Sequence, residues 1–427
     1  MRTISVLILA ALMSVSSWIV PAKSWAISLY EFGHTAPRPA QGGDYHFKWG
    51  RTAIVPRLAY TGLYDSNIYR EPDDVTGDWV NIISPGLMLL HERDQNTFLM
   101  LSYDADIYLY SSNPDINFVR HTGRLEGQYM FPSNFYVRVE DLFVHTADPT
   151  GDDNLFRQDE YNVERWYNIA NIALGYETYK FGAEVGYENY LHRYDESIDY
   201  WQNENAHTAH VELRYRVFPK TSLTARYELS FIDYPKQNNG DNNIGATSST
   251  SEDNTLNQVF LGVLFDPTAK LRGYLRGGVG WKDYKHKRNW DGAKYNDIVT
   301  WVVQGDLEYL YSENLTFALE GERSLRDTSD TRYNYFFYNS VGLDVDYSFY
   351  EKWLASLGGR YEYVEYNGAG IYSDRLDNIW SGEANLDYAF RDWLSLGVFY
   401  QIRNRDSNLG SEDYLSHRVG LSIAAEY

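Results

Sequence analysis

The sequence predicts an all-β protein, a transmembrane antiparallel β-barrel of about 18 strands with short periplasmic turns and long extracellular loops. Three observations lead to it: side chains alternate between apolar and polar, connections alternate between short and long, and aromatic residues gather at the ends of the alternating stretches. Successive side chains of a β-strand lie on opposite faces, so strict alternation builds one apolar and one polar face. The clearest alternating stretches are residues 119–131, 209–217, 223–231 and 341–347.

The connections fall into two length classes that alternate along the chain. Bacterial barrels have short periplasmic turns and longer outside loops, whereas a soluble β-sandwich or propeller has no reason to sort its loops in this way. Eight short turns and nine long loops therefore join eighteen predicted strands. The short turns are expected near residues 93–96, 131–134, 177–178, 218–221, 266–268, 311–314, 349–352 and 390–392, and the long loops near 65–78, 111–117, 146–164, 195–206, 235–254, 286–296, 326–334, 367–375 and 405–413.

Aromatic residues occupy positions that a membrane interface favours. Phe131, Phe218 and Phe390 each precede a short turn, and Tyr60 lies nearer a long loop. Amphipathic rings at headgroup depth form the two aromatic girdles of outer-membrane barrels. The last stretch is apolar at every second position up to Tyr427, as are the terminal strands of outer-membrane proteins. The sequence therefore predicts a Gram-negative outer-membrane location, in contact with membrane lipid and lipopolysaccharide.

The first 49 residues are predicted to precede the barrel. Residues 1–26 have a basic start, a short apolar run and a Ser-Trp-Ala end, which is typical of a cleavable signal peptide. The apolar run is too short for a helix that spans about 30 Å of hydrocarbon, which argues against the alternative of an uncleaved anchor. Residues 27–49, with their prolines and glycines, are interpreted as a periplasmic leader or a strap in the lumen, and residues 50–427 as the barrel.

Composition and motifs argue against several functional classes. The formal net charge of −21 argues against a nucleic-acid partner, because phosphate binding needs a basic face. The absence of cysteine excludes disulfides and thiol catalysis. Neither a zinc-protease, a phosphate-loop nor a calcium-loop motif appears, so no cofactor and no resident metal are predicted. Acidic pairs at 73–74 and 152–153 could bridge divalent cations to lipopolysaccharide, but they are interpreted as solvated loop tips.

Four residues raise an enzymatic alternative. A Ser–His–acid hydrolase could use Ser84, Asp148 and either His121 or His145, provided that the fold brings them within hydrogen-bond reach. Because no nucleophile motif accompanies them, the histidines are interpreted as residues of the barrel wall or strand ends, and the chain is predicted not to be an enzyme.

The polar face of the alternating stretches supplies the candidate functional residues. Eighteen strands enclose a lumen wide enough for water and a hydrated sugar chain. Basic residues on one side of the lumen and acidic residues on the other would set up an electric field across it. Alternatively, the same charges could pair with each other and serve only to build the wall. The candidate pore-lining residues are Arg120, Arg124, Glu126, Arg138, Glu140, Arg214, Arg216, Arg226, Glu228, Arg272, Arg276, Glu308, Asp344, Asp346, Arg360, Glu362 and Arg403.

The opening hairpin resembles a known family. Tyr-Asp-Ser-Asn-Ile-Tyr at 64–69 and Ile-Ser-Pro-Gly-Leu at 83–87 are similar to the first hairpin of the "Putative beta-barrel porin 2" family, and Asn96, Leu99 and Tyr103 extend the match. The resemblance implies an outer-membrane exit channel for exopolysaccharide or capsular polysaccharide, working with a periplasmic polysaccharide export protein. It assigns no catalytic residue.

Three functional hypotheses follow from these observations. The preferred one is an export channel for a long polysaccharide. The second is an uptake porin for small solutes or oligosaccharides, and the third is an outer-membrane hydrolase that uses a histidine.

Overall fold

The barrel is closed by antiparallel pairing of neighbouring strands around its whole circumference. The structure is a computed structural model, which describes residues 47–94, 96–148, 164–195, 202–235, 251–265, 270–288, 292, 294–328, 332–368 and 373–427. Each strand pairs with the next in sequence, and the last strand pairs with β2 from Arg418↔Asp65 to Glu426↔Arg57. The predicted barrel of eighteen strands is therefore confirmed.

A short strand, β1 (Phe47–Trp49), precedes the eighteen strands of the wall. The wall strands are β2 (Thr52–Asp65), β3 (Asp78–Asp94), β4 (Thr97–Tyr110), β5 (Phe118–Met130), β6 (Phe135–Thr146), β7 (Arg165–Glu177), β8 (Phe181–Tyr194), β9 (Glu204–Phe218), β10 (Thr221–Asp233), β11 (Asn254–Phe265), β12 (Leu271–Tyr284), β13 (Ile298–Ser312), β14 (Leu315–Arg326), β15 (Tyr333–Phe349), β16 (Trp353–Gly368), β17 (Arg375–Arg391), β18 (Leu394–Ser407) and β19 (Tyr414–Glu426). No helix within the described ranges is long and apolar enough to cross a membrane.

The two-residue period of the sequence separates the two faces of the wall. In β10, Leu223 and Phe231 are each 49% exposed, whereas Arg226 between them is 2% exposed. Apolar residues such as Leu213, Leu261 and Leu357 are likewise exposed on the outer face. In water such a surface would be unstable, but in a bilayer it is the face that contacts hydrocarbon.

This face assignment makes a first prediction. Leu213→Glu places a charge on the outer face of β9, and we expect it to lower the free energy of unfolding of the barrel in lipid by about 2 kcal/mol or less. Urea titration in bilayers, followed by tryptophan fluorescence, measures the change. Thr224→Glu, on the inner face of the neighbouring strand, is the matched control, and an equal loss there would contradict the assignment.

The connections separate by length as the sequence predicts. Turns such as residues 131–134 and 350–352 join strands at one end, and longer loops such as 66–77 and 408–413 join them at the other. The turn at Tyr350-Glu351 has φ values of 50° and 62°, a left-handed geometry suited to a tight hairpin. The predicted loops around residues 149–163, 196–201 and 236–250 lie outside the described residues.

Hydrogen-bonded side-chain pairs form a belt on the outer face, near the long loops. In six hairpins within the described ranges, a tyrosine hydroxyl bonds the fourth residue of the strand that follows a long loop, and this residue is an asparagine or a histidine. Polar side chains directed at lipid are costly unless they are bonded, so the pairs satisfy each other near the interface. The pairs are Tyr60–Asn81 (2.7 Å), Tyr103–His121 (2.7 Å), Tyr187–His207 (2.6 Å), Tyr227–Asn257 (2.7 Å), Tyr361–Asn378 (2.8 Å) and Tyr400–His417 (2.8 Å).

The N-terminal region joins the barrel at its closing seam. Residues 1–46, which include the predicted signal peptide and most of the predicted leader, lie outside the described residues. The last three residues of that leader form β1, which pairs with Thr52–Ile54 of β2. The Phe47 ring lies 5.5 Å from the ring of Tyr427. β1 therefore continues the seam beyond the end of β19.

The family-like motif at 64–69 secures the same seam at its extracellular end. The Asp65 carboxylate accepts hydrogen bonds from Ser416 Oγ (2.9 Å) and Arg418 Nε (2.7 Å) of β19, and Arg70 lies 3.3 Å away. Asn67, which is fully buried, donates to the Leu415 carbonyl at 3.2 Å. The motif thus ties the first loop to the last strand.

Candidate functional site in the barrel interior

Side chains from strands that are not neighbours meet on the inner face of the wall. Tyr136 of β6 donates to Glu184 of β8 at 2.5 Å, across β7. Arg276 of β12 lies 3.7 Å from Glu212 of β9, across two strands. Only the concave side of a barrel brings such groups together, so these residues lie in the interior.

Glu184 is the centre of the first cluster in the interior, and its side chain is 0% exposed. Besides Tyr136, it is contacted by Arg138 at 3.1 Å, Arg214 at 3.4 Å and His210 at 3.3 Å. Two arginine guanidinium groups, a tyrosine hydroxyl and a histidine ring therefore surround one buried carboxylate. Burial of a charge is tolerated when pairing and hydrogen bonds compensate its lost hydration.

Two glycines make room for this arrangement. A Cβ atom at Gly175 would lie 2.0 Å from the Tyr136 ring, and one at Gly186 would lie 2.2 Å from the His210 ring. Any side chain at either position would push the ring away from Glu184. The glycines of β7 and β8 are therefore part of the cluster, although they contribute no polar group.

A second cluster continues from the first across β9 to β13. Arg226 bonds Glu228 at 2.5 Å and Glu212 at 3.4 Å. Arg276 bonds Gln304 at 2.6 Å and lies over the ring of Phe260, 5.1 Å from its centroid. The two clusters share Glu212, which also binds Arg214 at 2.6 Å, and they form one continuous network from β6 to β13.

The structure places all seventeen candidate pore-lining residues within strands, with none fully exposed. Eight are buried: Arg138, Arg226, Glu228, Arg272, Arg276, Glu308, Glu362 and Arg403. The other nine are half-buried. Most arginines contact a carboxylate of the same region rather than an opposite arc, as in Arg124–Glu126 (3.8 Å), Arg138–Glu140 (3.5 Å), Arg216–Glu177 (3.7 Å), Arg272–Glu308, Arg360–Glu320 and Arg403–Glu362 (3.2 Å).

The other side of the interior carries open space. A cavity of about 190 Å³ is lined by inward residues of β2 to β5 and β17 to β19. Its polar lining mixes amide, hydroxyl and charged groups, with aromatic rings beside them. The lining includes Thr61, Tyr108, Tyr110, Arg120, Asn385, Asp387, Phe399, Gln401, Arg418 and Ser422.

Several residues of the interior network were missed from the sequence. Tyr136, Glu184, His210 and Gln304 were not among the candidates, although Glu184 alternates with the outward Ala183 and Val185. That alternation was the available signal for an inward carboxylate. Its partners come from β6 and β9, and no local pattern indicates which strands lie side by side at that level.

The serine of the hydrolase alternative is not brought together with either histidine. Ser84 lies on the face of β3 that carries the buried Ile82 and Met88, so it is directed inward. His121 and His145 lie on the outer face with the exposed Val119 and Phe143. The barrel wall therefore separates the serine from both histidines.

At the extracellular rim, ionic contacts join neighbouring loops. Lys285 Nζ donates to Asp253 Oδ2 at 3.0 Å, and this hydrogen bond raises the pKa of the lysine. Asp253 also accepts from the Tyr234 backbone at 2.9 Å. The carboxylate thus connects the ends of β10 and β12 through the start of β11.

The comparison with known families agrees with this architecture. Residues 45–427 match the family described as "Putative beta-barrel porin 2". The chain belongs to that family. It is therefore a porin-like channel of the Gram-negative outer membrane, as the hairpin at 64–87 indicates.

Solved structures similar to the chain include outer-membrane proteins of two organisms. The outer membrane protein OpdK from Pseudomonas aeruginosa is 10% identical, with a TM-score of 0.42, covering 88% of this chain and 99% of that one. The FrpB iron transporter from Neisseria meningitidis is 10% identical, with a TM-score of 0.40, covering 87% and 81%. The siderophore receptor PirA from Pseudomonas aeruginosa is 9% identical, with a TM-score of 0.38, covering 87% and 80%. No curated protein matches the chain.

Proposed function

We propose that the barrel translocates an exopolysaccharide or capsular polysaccharide out of the cell, receiving it from a periplasmic polysaccharide export protein. The observation that carries the proposal is the cavity between β2–β5 and β17–β19, with its mixture of amides, hydroxyls and rings. Catalysis has no part in the proposal, because the candidate hydrolase residues lie on opposite faces of the wall.

The chemistry of the cavity suits a hydrated glycan. Sugar hydroxyls both donate and accept hydrogen bonds, and the amides of Asn385 and Gln401 and the hydroxyl of Thr61 do the same. The rings of Tyr108 and Phe399 offer apolar faces to the C–H side of a sugar ring. Such contacts are weak and spread along the wall, so a long chain can move from one to the next without being trapped.

The charged network on β6–β13 has a different role in this proposal. Arg226 and Glu212 are each nearly fully buried and bonded to each other, so their charges are compensated within the wall. A network whose charges are compensated stiffens the β6–β13 side of the barrel. The polysaccharide then passes along the other side, where the cavity lies. Rigidity matters because the passage must stay open while a long chain moves through it.

Uptake of small solutes is the second candidate, since the same lining would accept an oligosaccharide. The two functions differ in direction and in the length of the cargo. The resemblance of the opening hairpin to the export family favours a long polysaccharide moving outward.

Deletion and narrowing of the passage test the proposal together. We expect a deletion strain to lose surface polysaccharide and to accumulate polymer or its lipid-linked precursor inside. Asn385→Trp combined with Gln401→Trp fills the cavity and should reproduce the deletion, with surface glycan lost while the barrel remains folded. Heat-dependent gel migration verifies the fold.

The matched control is Ala225→Trp, which adds the same ring to the outer face of β10, where the side chain is exposed. It should leave surface glycan at the wild-type level. Normal surface glycan in the deletion strain, together with lost growth on an oligosaccharide, would instead establish the uptake porin.

A further inference from the structure

A histidine and two carboxylates meet on the outer face at the extracellular rim. His145 is the penultimate residue of β6, Glu164 immediately precedes β7, and Asp195 immediately follows β8. The three strands are neighbours in the wall. We propose that His145, Glu164 and Asp195 form a binding site for a divalent transition-metal ion of the Zn²⁺ type.

The distances between the side-chain atoms suit coordination to one ion. His145 Nε2 lies 3.2 Å from Asp195 Oδ2 and 3.4 Å from Glu164 Oε1. Ligand atoms bound about 2.1 Å from a tetrahedral Zn²⁺ are about 3.4 Å from one another. The ligand atoms of all three residues lie within 4.8 Å of each other. The Glu164 side chain is 57% exposed, so it can rotate to bring its carboxylate to the distance that coordination requires.

The ligand types determine the class of ion. One imidazole nitrogen with two carboxylate oxygens suits Zn²⁺ and its neighbours in the first transition series, whereas Ca²⁺ and Mg²⁺ prefer oxygen ligands alone. Two carboxylates also neutralise the double charge of the ion. Three protein ligands leave a fourth coordination position, and at the membrane surface water or a lipid phosphate oxygen would complete it.

Backbone contacts hold the ligands in place before an ion arrives. The Asp195 amide donates to the Glu164 carbonyl at 2.9 Å, which fixes the end of β8 against the start of β7. His145 is paired with His121 across β5 and β6, and the two rings lie 6.0 Å apart. His121 uses its Nδ1 for Tyr103 and so belongs to the tyrosine belt rather than to this site.

Metal binding would cross-link side chains at the ends of three neighbouring strands, β6, β7 and β8. Because an ion bound only by the folded barrel stabilises it by mass action, the site predicts a thermal transition that rises with Zn²⁺ concentration. This effect is independent of transport, so the failure of the proposed export function would leave it unchanged.

The test uses the full untagged barrel in detergent, freed of metal by chelation and titrated with Zn²⁺ by calorimetry. We expect one ion per chain at the site and a rise in the thermal transition. His145→Ala should weaken binding at least about tenfold, with smaller losses for Glu164→Gln and Asp195→Asn. Co²⁺ should give the strong visible absorption of a four-coordinate ion in the wild type and lose it in His145→Ala.

His207→Ala is the matched control, because His207 lies on the same face and bonds Tyr187 at 2.6 Å. It should leave both the affinity and the cobalt spectrum unchanged. Equal Zn²⁺ affinity of the wild type and His145→Ala, or equal losses in His145→Ala and His207→Ala, would overturn the proposal.

Discussion

Glu184→Ala is expected to lower the free energy of unfolding of the barrel by about 3–5 kcal/mol, the typical cost of removing one partner from a buried ion pair. The carboxylate accepts contacts from four side chains, and Arg138 and Arg214, whose side chains are 7% and 12% exposed, would each lose an ion-pair partner. Denaturant titration of the folded barrel, followed by gel migration and tryptophan fluorescence, measures the change.

Two further variants separate the charge from the shape of this site. Glu184→Gln keeps the volume but removes the negative charge, so we expect a smaller yet distinct loss of stability. Glu351→Ala removes a carboxylate from an exposed turn and should change the free energy by less than about 0.5 kcal/mol. Similar effects of Glu184→Ala and Glu351→Ala would show that the buried network contributes little.

Asp65→Ala is expected to weaken the closing seam and to lower the free energy of unfolding by about 3 kcal/mol. Asp65 is 2% exposed and joins β2 to β19 through Ser416 and Arg418. The same denaturant titration measures the loss. Because the seam joins the first and last strands, the variant should also fold more slowly into its heat-resistant form.

A double-mutant cycle with Arg418→Ala tests whether the effect is carried by this contact. The two changes should be non-additive, with a coupling of about 1–3 kcal/mol, as expected for residues in direct contact. Asp73→Ala, an exposed carboxylate of the adjacent loop, is the matched control and should have little effect. Strict additivity of Asp65→Ala and Arg418→Ala would contradict the assigned role.

Much of the barrel wall was predictable because the patterns that specify it lie within short stretches of sequence. A two-residue period separates inside from outside in β10, where Phe231 is exposed and Arg226 is buried. Turn and loop lengths are local as well, so the strand count and the order of the strands followed from sequence. The hairpin at 64–87 also indicated the family before any contact was known.

The environment of the inward residues was less predictable. The sequence left two arrangements open for inward charges such as Arg226 and Arg276, a field between facing arcs or pairing within the wall. Both residues lie buried among Glu212, Glu228 and Gln304. The two-residue period indicates whether a side chain lies on the inner or the outer face of the wall. It does not state which groups lie at the same level on strands several positions away.

The sequence by itself determined the barrel, its strand order and its two faces, because alternation and loop length act within one hairpin. Tertiary structure decided the partners of Glu184, the seam contacts of Asp65 and the meeting of His145 with Glu164 and Asp195. Each of these depends on the register between strands and on the curvature of the closed wall. The relative alignment of two distant strands depends on the register of every strand pair between them. A contact across several strands is therefore fixed only when the barrel is complete.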